Sequence, residues 1–249
     1  MSRTTDGAFE SPTAIVAPLP EETTGVLRRL EDLRRTRRGE VAGQAGLLAG
    51  RPVVVASTGD GAANAQRSLE ALVRAWSPRR ILVLGVAGGL TEDLEIGQVV
   101  FGERLFDAGG PAPAPDAEWG SSALAASCLP VTIFSADRLA VTPEEKSSAR
   151  RGLPAGPAVV DLESSAFARV AAGSGLPFAV LRAVSDRADE TLPLDFNRFM
   201  GPDGGVRRAD VVRHVALRPH LLAPLMDLRR RVERCSDGLG LAAERMVAE

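Results

Sequence analysis

Short apolar runs alternate with amphipathic stretches along most of the chain. Residues 14–17, 80–84 and 178–184 are apolar runs of strand length, the pattern of strands covered on both faces. Residues 41–48 and 52–57 read as two strands joined at Gly50-Arg51, a hairpin signal. Residues 96–101 and 130–134 read as further strands. Between the strands lie stretches of helical period. Glu21 and Glu22 open one that carries Leu27 and Leu30 and runs to about Arg35; acids suit the first turn of a helix. Residues 62–76, 143–151 and 164–173 predict three more helices. Residues 107–120 hold Gly, Pro and Asp without periodicity and predict a surface loop. Residues 207–234 predict an Arg-rich helical stretch with an apolar stripe of Leu217, Leu221, Leu222, Leu225 and Leu228. The alternation predicts an α/β fold in three layers, a central mixed, mostly parallel sheet flanked by helices. No repeat and no linker divides it. Residues 14–235 therefore read as one domain, with 1–13 a disordered extension and 236–249 a tail.

A chain of 249 residues buries a full core without staples. Its 45% hydrophobic and 25% charged residues are ordinary for a soluble globule. A net charge of −2 offers no field to draw nucleic acid. The cations are almost all Arg, with Lys146 the sole lysine, which reads as coding bias. Cys128 and Cys235 are too few for a disulfide framework or a structural zinc, and read as reduced thiols of a cytoplasmic protein. Residues 1–13 lack the apolar stretch of a signal peptide, and no apolar run is long enough to span a membrane.

The candidate chemistry lies where two strands end. Val159-Val160-Asp161-Leu162-Glu163 and Ala183-Val184-Ser185-Asp186 each deliver acid to a strand's carboxyl end, where open α/β sheets bind ligands. One helix separates them, so both reach one rim and point to catalysis on a small polar ligand. Glu163 follows an apolar run, where a carboxylate is costly unless paired, and Arg182 inside a strand needs a partner. Glu22 stands at the mouth of the first strand–helix turn and, taken alone, reads first as a partner of the helix dipole. Gly85-Val86-Ala87-Gly88-Gly89 lets backbone approach a ligand, but it is not the dinucleotide fingerprint. There is no Walker A motif, no HExxH and no Ser-His-Asp order, and His214 and His220 read as surface residues. No metal site is expected.

Several segments together resemble a known family. Asp161-Leu162-Glu163-Ser164-Ser165-Ala166 resembles the V-D/E-M-E-x-x-A segment of the purine nucleoside phosphorylase and 5′-methylthioadenosine/S-adenosylhomocysteine nucleosidase superfamily. Arg182-Ala183-Val184-Ser185-Asp186-Arg187-Ala188-Asp189 resembles its R-x-I-S-D-x-A-D/G. Gly85-Val86-Ala87-Gly88-Gly89-Leu90 is similar to its G-S/T-A/C-G-G-L, and residues 17–22 to the nucleosidase opening A-M-x-x-E. The G-D-P-x-R opening of the hexameric phosphorylases is missing. Leu192-Pro193-Leu194-Asp195-Phe196-Asn197, the Asp203-Gly204-Gly205 turn and residues 211–231 resemble the hopanoid-associated phosphorylase branch, whose implied substrate is adenosylhopane, a triterpenoid on the 5′ carbon of adenosine.

The resemblance implies a nucleoside phosphorylase-like fold and cleavage of the bond between a purine and C1′ of ribose, through an oxocarbenium-like transition state. It makes Asp186 the acid that protonates N7, with Ser185 positioning it. Glu22 becomes the base that activates water, and Arg182 orders the water and the acids. Glu163 grips the ribose hydroxyls, Leu162 packs beside the sugar, Gly88 admits the ligand and Phe196 covers its 5′ side. Two residues depart from the family. Val86 replaces a Ser or Thr that hydrogen-bonds water, phosphate or ribose, and Leu139 stands near a base-stacking Phe. The resemblance implies no cofactor, with phosphate a candidate co-substrate. It implies a homodimer acting on a nucleoside, one that is lipid-linked and reached by peripheral membrane contact if adenosylhopane is the substrate. Three readings stand: a nucleosidase on a 5′-substituted adenosine, a phosphorylase on the same bond, and a nucleoside-binding protein that has lost catalysis.

Overall fold

The computed structural model describes residues 11–201 and 204–248. Most of the expected N-terminal extension, and Asp203 of the glycine turn, lie outside the described residues. In chain order the first elements are β1 (Thr13–Ala17), α1 (Pro20–Leu27), β2 (Glu31–Arg38), β3 (Val41–Leu48), β4 (Arg51–Ser57), α2 (Ala62–Trp76), β5 (Arg80–Val83) and β6 (Val86–Gly89). Then come β7 (Val99–Asp107), β8 (Gly110–Pro111), α3 (Ala117–Ala125), β9 (Leu129–Ser135), α4 (Pro143–Arg150), β10 (Ala158–Asp161), α5 (Ser164–Gly173) and β11 (Phe178–Asp186). A 3₁₀ turn at Phe196–Phe199 precedes α6 (Arg208–Ala216), and another at Pro219–Leu221 leads into α7 (Leu222–Ala248).

The strands form one mixed sheet in the order β2-β3-β4-β1-β5-β11-β6-β10-β9-β7-β8. β4, β1, β5 and β11 run parallel at its centre. Their apolar residues alternate between two cores, as a pleat requires. Ala14, Val16, Ile81, Val83, Phe178 and Val180 face a core with Leu69 and Leu72 of α2 and Phe167 of α5. Ile15, Ala17, Leu82, Leu84, Ala179 and Leu181 face a core with Val26 of α1, Trp119 of α3 and Leu239 and Met246 of α7. The fold is the expected three-layer α/β arrangement. β11 also pairs with β7, so β11, β6, β10, β9 and β7 close into a ring. The acid-ended strands β10 and β11 both belong to this ring, separated by β6.

Five expectations change. The first helix ends at Leu27, and residues 31–38 form an edge strand paired with β3. Leu27, Leu30 and Leu33 imitate a helical spacing, but Asp32 takes a φ of 52°, and the Arg-rich strand stays largely in solvent. The stretch 107–120 is not all loop. β7 reaches Asp107, and Asp116 caps α3 by accepting from the amides of Glu118 and Trp119. The glycine-rich Val86–Gly89 is a strand, held by β11 and β10. The chain beyond residue 235 is no separate tail. α7 runs on to Ala248 and buries Leu239, Ala243, Met246 and Val247. It crosses α1 at Gly25, where a Cβ would lie 1.8 Å from the Ser236 carbonyl oxygen. The Leu217–Leu228 stripe does not form a core face either: α6 buries no residue, and Leu217 and Leu222 are 76% and 55% exposed.

Candidate active site

Two helix starts and two strand ends bring carboxyl groups to one cavity. Glu22 sits in the first turn of α1 and is 3% exposed. One carboxylate oxygen accepts the Leu19 amide at 2.8 Å, closing the helix start from within. The other accepts the Val86 amide at 2.9 Å, reaching across the sheet to β6. Burial pushes the Glu22 pKa up to about 7 against the pull of Arg182 and the two amides. The side chain of Val86 cannot hydrogen-bond, yet its backbone fixes this acid.

Asp161 and Glu163 end β10 with different fates. Asp161 pairs with the wholly buried Arg182, Oδ2 to Nε at 2.7 Å, and accepts from Ser135 Oγ at 2.8 Å and from the Ser164 hydroxyl. This is the partner that Arg182 needs in the strand interior. Glu163 stands at the start of α5 but makes no capping bond. Its Oε1 accepts the Gly61 amide at 2.8 Å instead, where the chain turns into α2. Burial, with Asp161 nearby, pushes the Glu163 pKa up to about 8.

Asp186 ends β11. Ser185 Oγ lies 2.6 Å from its Oδ1 and 3.2 Å from the Ala87 carbonyl. Its Oδ2 lies beside Gly88, where a Cβ would come within 3.0 Å of it. A side chain at that position would crowd the acid, so the glycine is needed here. The same holds at Gly85, whose missing Cβ would stand 2.1 Å from Arg182 Nη1 and 3.2 Å from Glu22 Oε1. Nη1 is buried without a hydrogen-bond partner and faces this point. Arg182 thus stands behind Gly85, tied to Asp161 and Ser164, and is absent from the cavity wall.

The cavity measures about 390 Å³, the scale of a small-ligand site. Glu22, Val86, Gly88, Leu139, Leu162, Glu163, Ser185, Asp186 and Phe196 all line it, so the structure gathers every sequence candidate except Arg182 on one wall. Asn197 clamps the Leu139 segment to the Phe196–Phe199 turn, donating to the Leu139 carbonyl at 3.0 Å and accepting its amide at 2.8 Å. Beyond the acids the wall is mostly apolar, with Leu192, Val206, Val211, Val212, Leu228 and Val232, and it also carries Arg208. α6 and α7 therefore form part of the site.

Sequence reasoning missed Lys146. It lies on α4, is 1% exposed, and places Nζ 2.5 Å from Asp186 Oδ2. The signal was present in the composition, one lysine among the chain's 30 Lys and Arg residues, but was read as coding bias. Asp60 was also missed; it lines the cavity and accepts the Val206 amide at 3.2 Å. Among the described residues no group of three His, Cys, Asp or Glu is arranged to hold a metal ion. Burial pushes the thiols of Cys128 and Cys235 up to about 11, which keeps both protonated.

Residues 12–216 match the model of the phosphorylase superfamily. The 5′-methylthioadenosine/S-adenosylhomocysteine nucleosidase of Shewanella halifaxensis is 26% identical over 209 residues, 75% of this chain and 90% of that protein. The nucleosidase of the same name from Staphylococcus aureus is 26% identical over 208 residues, 75% of this chain and 91% of its own. Among solved structures, the Neisseria meningitidis nucleosidase in complex with methylthio-immucillin-A superposes with a TM-score of 0.74 at 21% identity, covering 96% of this chain and 99% of that one. The futalosine hydrolase of Helicobacter pylori gives 0.74 at 18% identity, covering 96% and 97%.

Proposed function

The chain belongs to the phosphorylase superfamily, and from that premise we propose that it hydrolyses the N-glycosidic bond of a 5′-substituted adenosine and releases adenine. The observation that carries this reading is the convergence of Glu22, Glu163 and Asp186 on one largely apolar cavity. The nucleosidases and the futalosine hydrolase similar to this chain support it. In this reading Asp186 delivers a proton to N7 as the C1′–N9 bond breaks and its electron pair moves to N9. Glu163 holds the ribose hydroxyls. Glu22 takes a proton from the water that adds to C1′. A carboxyl at about 7 is poised for that work near neutrality, since it is partly ionised and still basic. Water is the nucleophile rather than phosphate. Arg208 is the one guanidinium on the cavity wall among the described residues, and it is engaged by Glu21 at 2.8 Å.

The 5′ group is large and apolar, because the wall past the sugar is Leu192, Phe196, Val211, Val212, Leu228 and Val232. The zwitterionic homocysteine of S-adenosylhomocysteine would lose its hydration against that wall. Adenosylhopane, the substrate implied by the resemblance of residues 192–197 and 211–231, meets it with hydrocarbon. The protein then works as a cytoplasmic homodimer at the membrane that holds such a lipid. Val212 of the cavity wall is exposed, and so are Leu217, Leu222 and Met226 in the stretch that follows it.

An adenine-release assay across adenosylhopane, 5′-deoxyadenosine, methylthioadenosine and S-adenosylhomocysteine, with and without phosphate, tests the whole reading. Release that favours the apolar 5′ groups and ignores phosphate is expected. Stoichiometric ribose-1-phosphate formation would overturn hydrolysis. Tight nucleoside binding without adenine release from any substrate would make this a binding protein.

A further inference from the structure

We propose that Lys146 and Asp186 share one transferable proton, and that Lys146 is the positioning residue that loads Asp186 for protonation of the leaving adenine. This rests on the hydrolase reading above. Lys146 Nζ donates to the Arg187 carbonyl at 2.5 Å and the Glu190 carbonyl at 2.8 Å, and forms an ion pair with Asp186 Oδ2 at 2.5 Å, an oxygen that accepts no hydrogen bond in this geometry. An ammonium has three protons, so one remains beyond the two given to the carbonyls, and Oδ2 is the group beside it. The neutral amine fits the same cage. It donates to the two carbonyls and accepts from a protonated Oδ2. Ser185 Oγ suits both states as well, because the Ala87 carbonyl at 3.2 Å gives its proton a second acceptor. The pair therefore carries one proton with zero net charge in either placement, and moving that proton orphans no buried group.

Composition points the same way. All other cations in the chain are Arg. A guanidinium supplies charge but does not release its proton, whereas an ammonium can. The single exception stands against the acid that has to give a proton away. The other charged groups around the pair are engaged elsewhere. Glu145 of α4 accepts the Val141 and Thr142 amides, and the Glu190 side chain is bound by Arg231 at 2.6 Å. Arg187 turns outward to Asp189 and Glu95. Cys235 of α7 donates to the Val184 carbonyl. Glu22, Glu163 and the Asp161–Arg182 pair are fixed by the bonds already described.

A proton passes from Nζ to the Asp186 carboxyl and on to N7 while C1′–N9 breaks and its electrons stay on N9. Adenine leaves neutral and Lys146 is left as an amine. Water adds to C1′ and its proton goes to Glu22. Solvent then returns one proton to Lys146 and removes one from Glu22.

Because Lys146 is the only lysine, protein labelled with [ε-¹³C]lysine gives one side-chain signal from the intact wild-type chain. In the free enzyme that signal should titrate at the pH of the basic limb of kcat/KM for adenine release, which reports the essential acid. A signal that stays at the ammonium position through that limb overturns the proposal. Two variants add a test of order. Lys146→Arg keeps the charge and withholds the proton, so kcat/KM should fall by about 100-fold or more. Lys146→Met removes the competing cation and leaves solvent to supply the proton to Asp186, so it should retain more activity than the arginine variant. Arginine equal to or better than methionine, with both proteins folded by their melting curves, would make Lys146 a structural cation only. Wild-type protein that releases no adenine would instead sink the hydrolase reading.

Discussion

Glu22 and Glu163 carry raised pKa values for one physical reason, burial with too few donors to offset the lost hydration. That links activity and stability to pH in opposite senses. Glu22 must be ionised to take a proton from water, so kcat/KM should rise through about pH 7. Glu22→Gln should remove that rising limb and lower kcat by about 100-fold. Stability runs the other way. The folded protein binds the Glu163 proton more tightly, at about 8, than a free carboxyl does at 4.5. The resulting stability is complete below about pH 4.5 and is lost as pH rises through 8. Glu163→Gln cannot ionise, so at pH 9 it should melt above the wild type. The advantage should be gone by pH 5, which melting curves across pH would show. Asp186→Asn should cut adenine release by at least about 100-fold while nucleoside binding, read by calorimetry, survives. Unchanged turnover would remove Asp186 from the acid's role. Much of this set was legible as residues. Acids following apolar runs are costly, and the cost marks them. The division of labour within Asp161-Leu162-Glu163 was not, because only the fold brings Arg182 to the first acid and Gly61 to the second.

At the scale of elements, the alternation of strand and helix was plain because both-face burial leaves continuous apolar runs at β1, β5 and β11. Other elements were hidden, and two of them show why. β2 reads as a helix because an edge strand needs no apolar face of its own; its pairing with β3 decides its state. The second half of α7 reads as a tail because Gly238, Gly240 and the small residues between the larger ones weaken the helical signal. Those small residues are what let α7 lie against α1, with Gly240 facing Gly25. Cutting the chain after residue 235 should therefore abolish folding rather than trim it, since Leu239, Met246 and Val247 are wholly buried. Leu239→Ala alone should lower stability by about 2–5 kcal/mol in denaturant melts. A chain ending at 235 that kept the wild-type melting temperature would restore the boundary expected from sequence.

Over the whole molecule, charge is unevenly placed. Residues 207–234 contain eight Arg and three acids, a net of +5 in a chain whose total is −2. Within this stretch Arg213, Arg229 and Arg207 expose 79%, 68% and 59% of their side chains, and Val212, Leu217, Leu222 and Met226 stand out between the arginines. No helix among the described residues is long and apolar enough to cross a membrane. Apolar residues interleaved with cations suit the surface of an anionic bilayer, where each cation near the headgroups contributes about 1 kcal/mol. Sedimentation with vesicles containing phosphatidylserine should therefore carry the protein down, and salt should release it, since screening acts on the charged part of the attraction. Arg213→Glu combined with Leu217→Asp should lower the bound fraction about tenfold or more, because one change reverses a charge and the other forfeits an apolar contact. Neither residue lines the cavity. Adenine release from a water-soluble 5′-deoxyadenosine should stay at its wild-type rate in that variant, while release from a lipid-linked substrate held in the vesicles should fall with binding. Equal loss on both substrates would place the defect in folding or in the site, and equal retention would leave the basic apolar face without a part in substrate access.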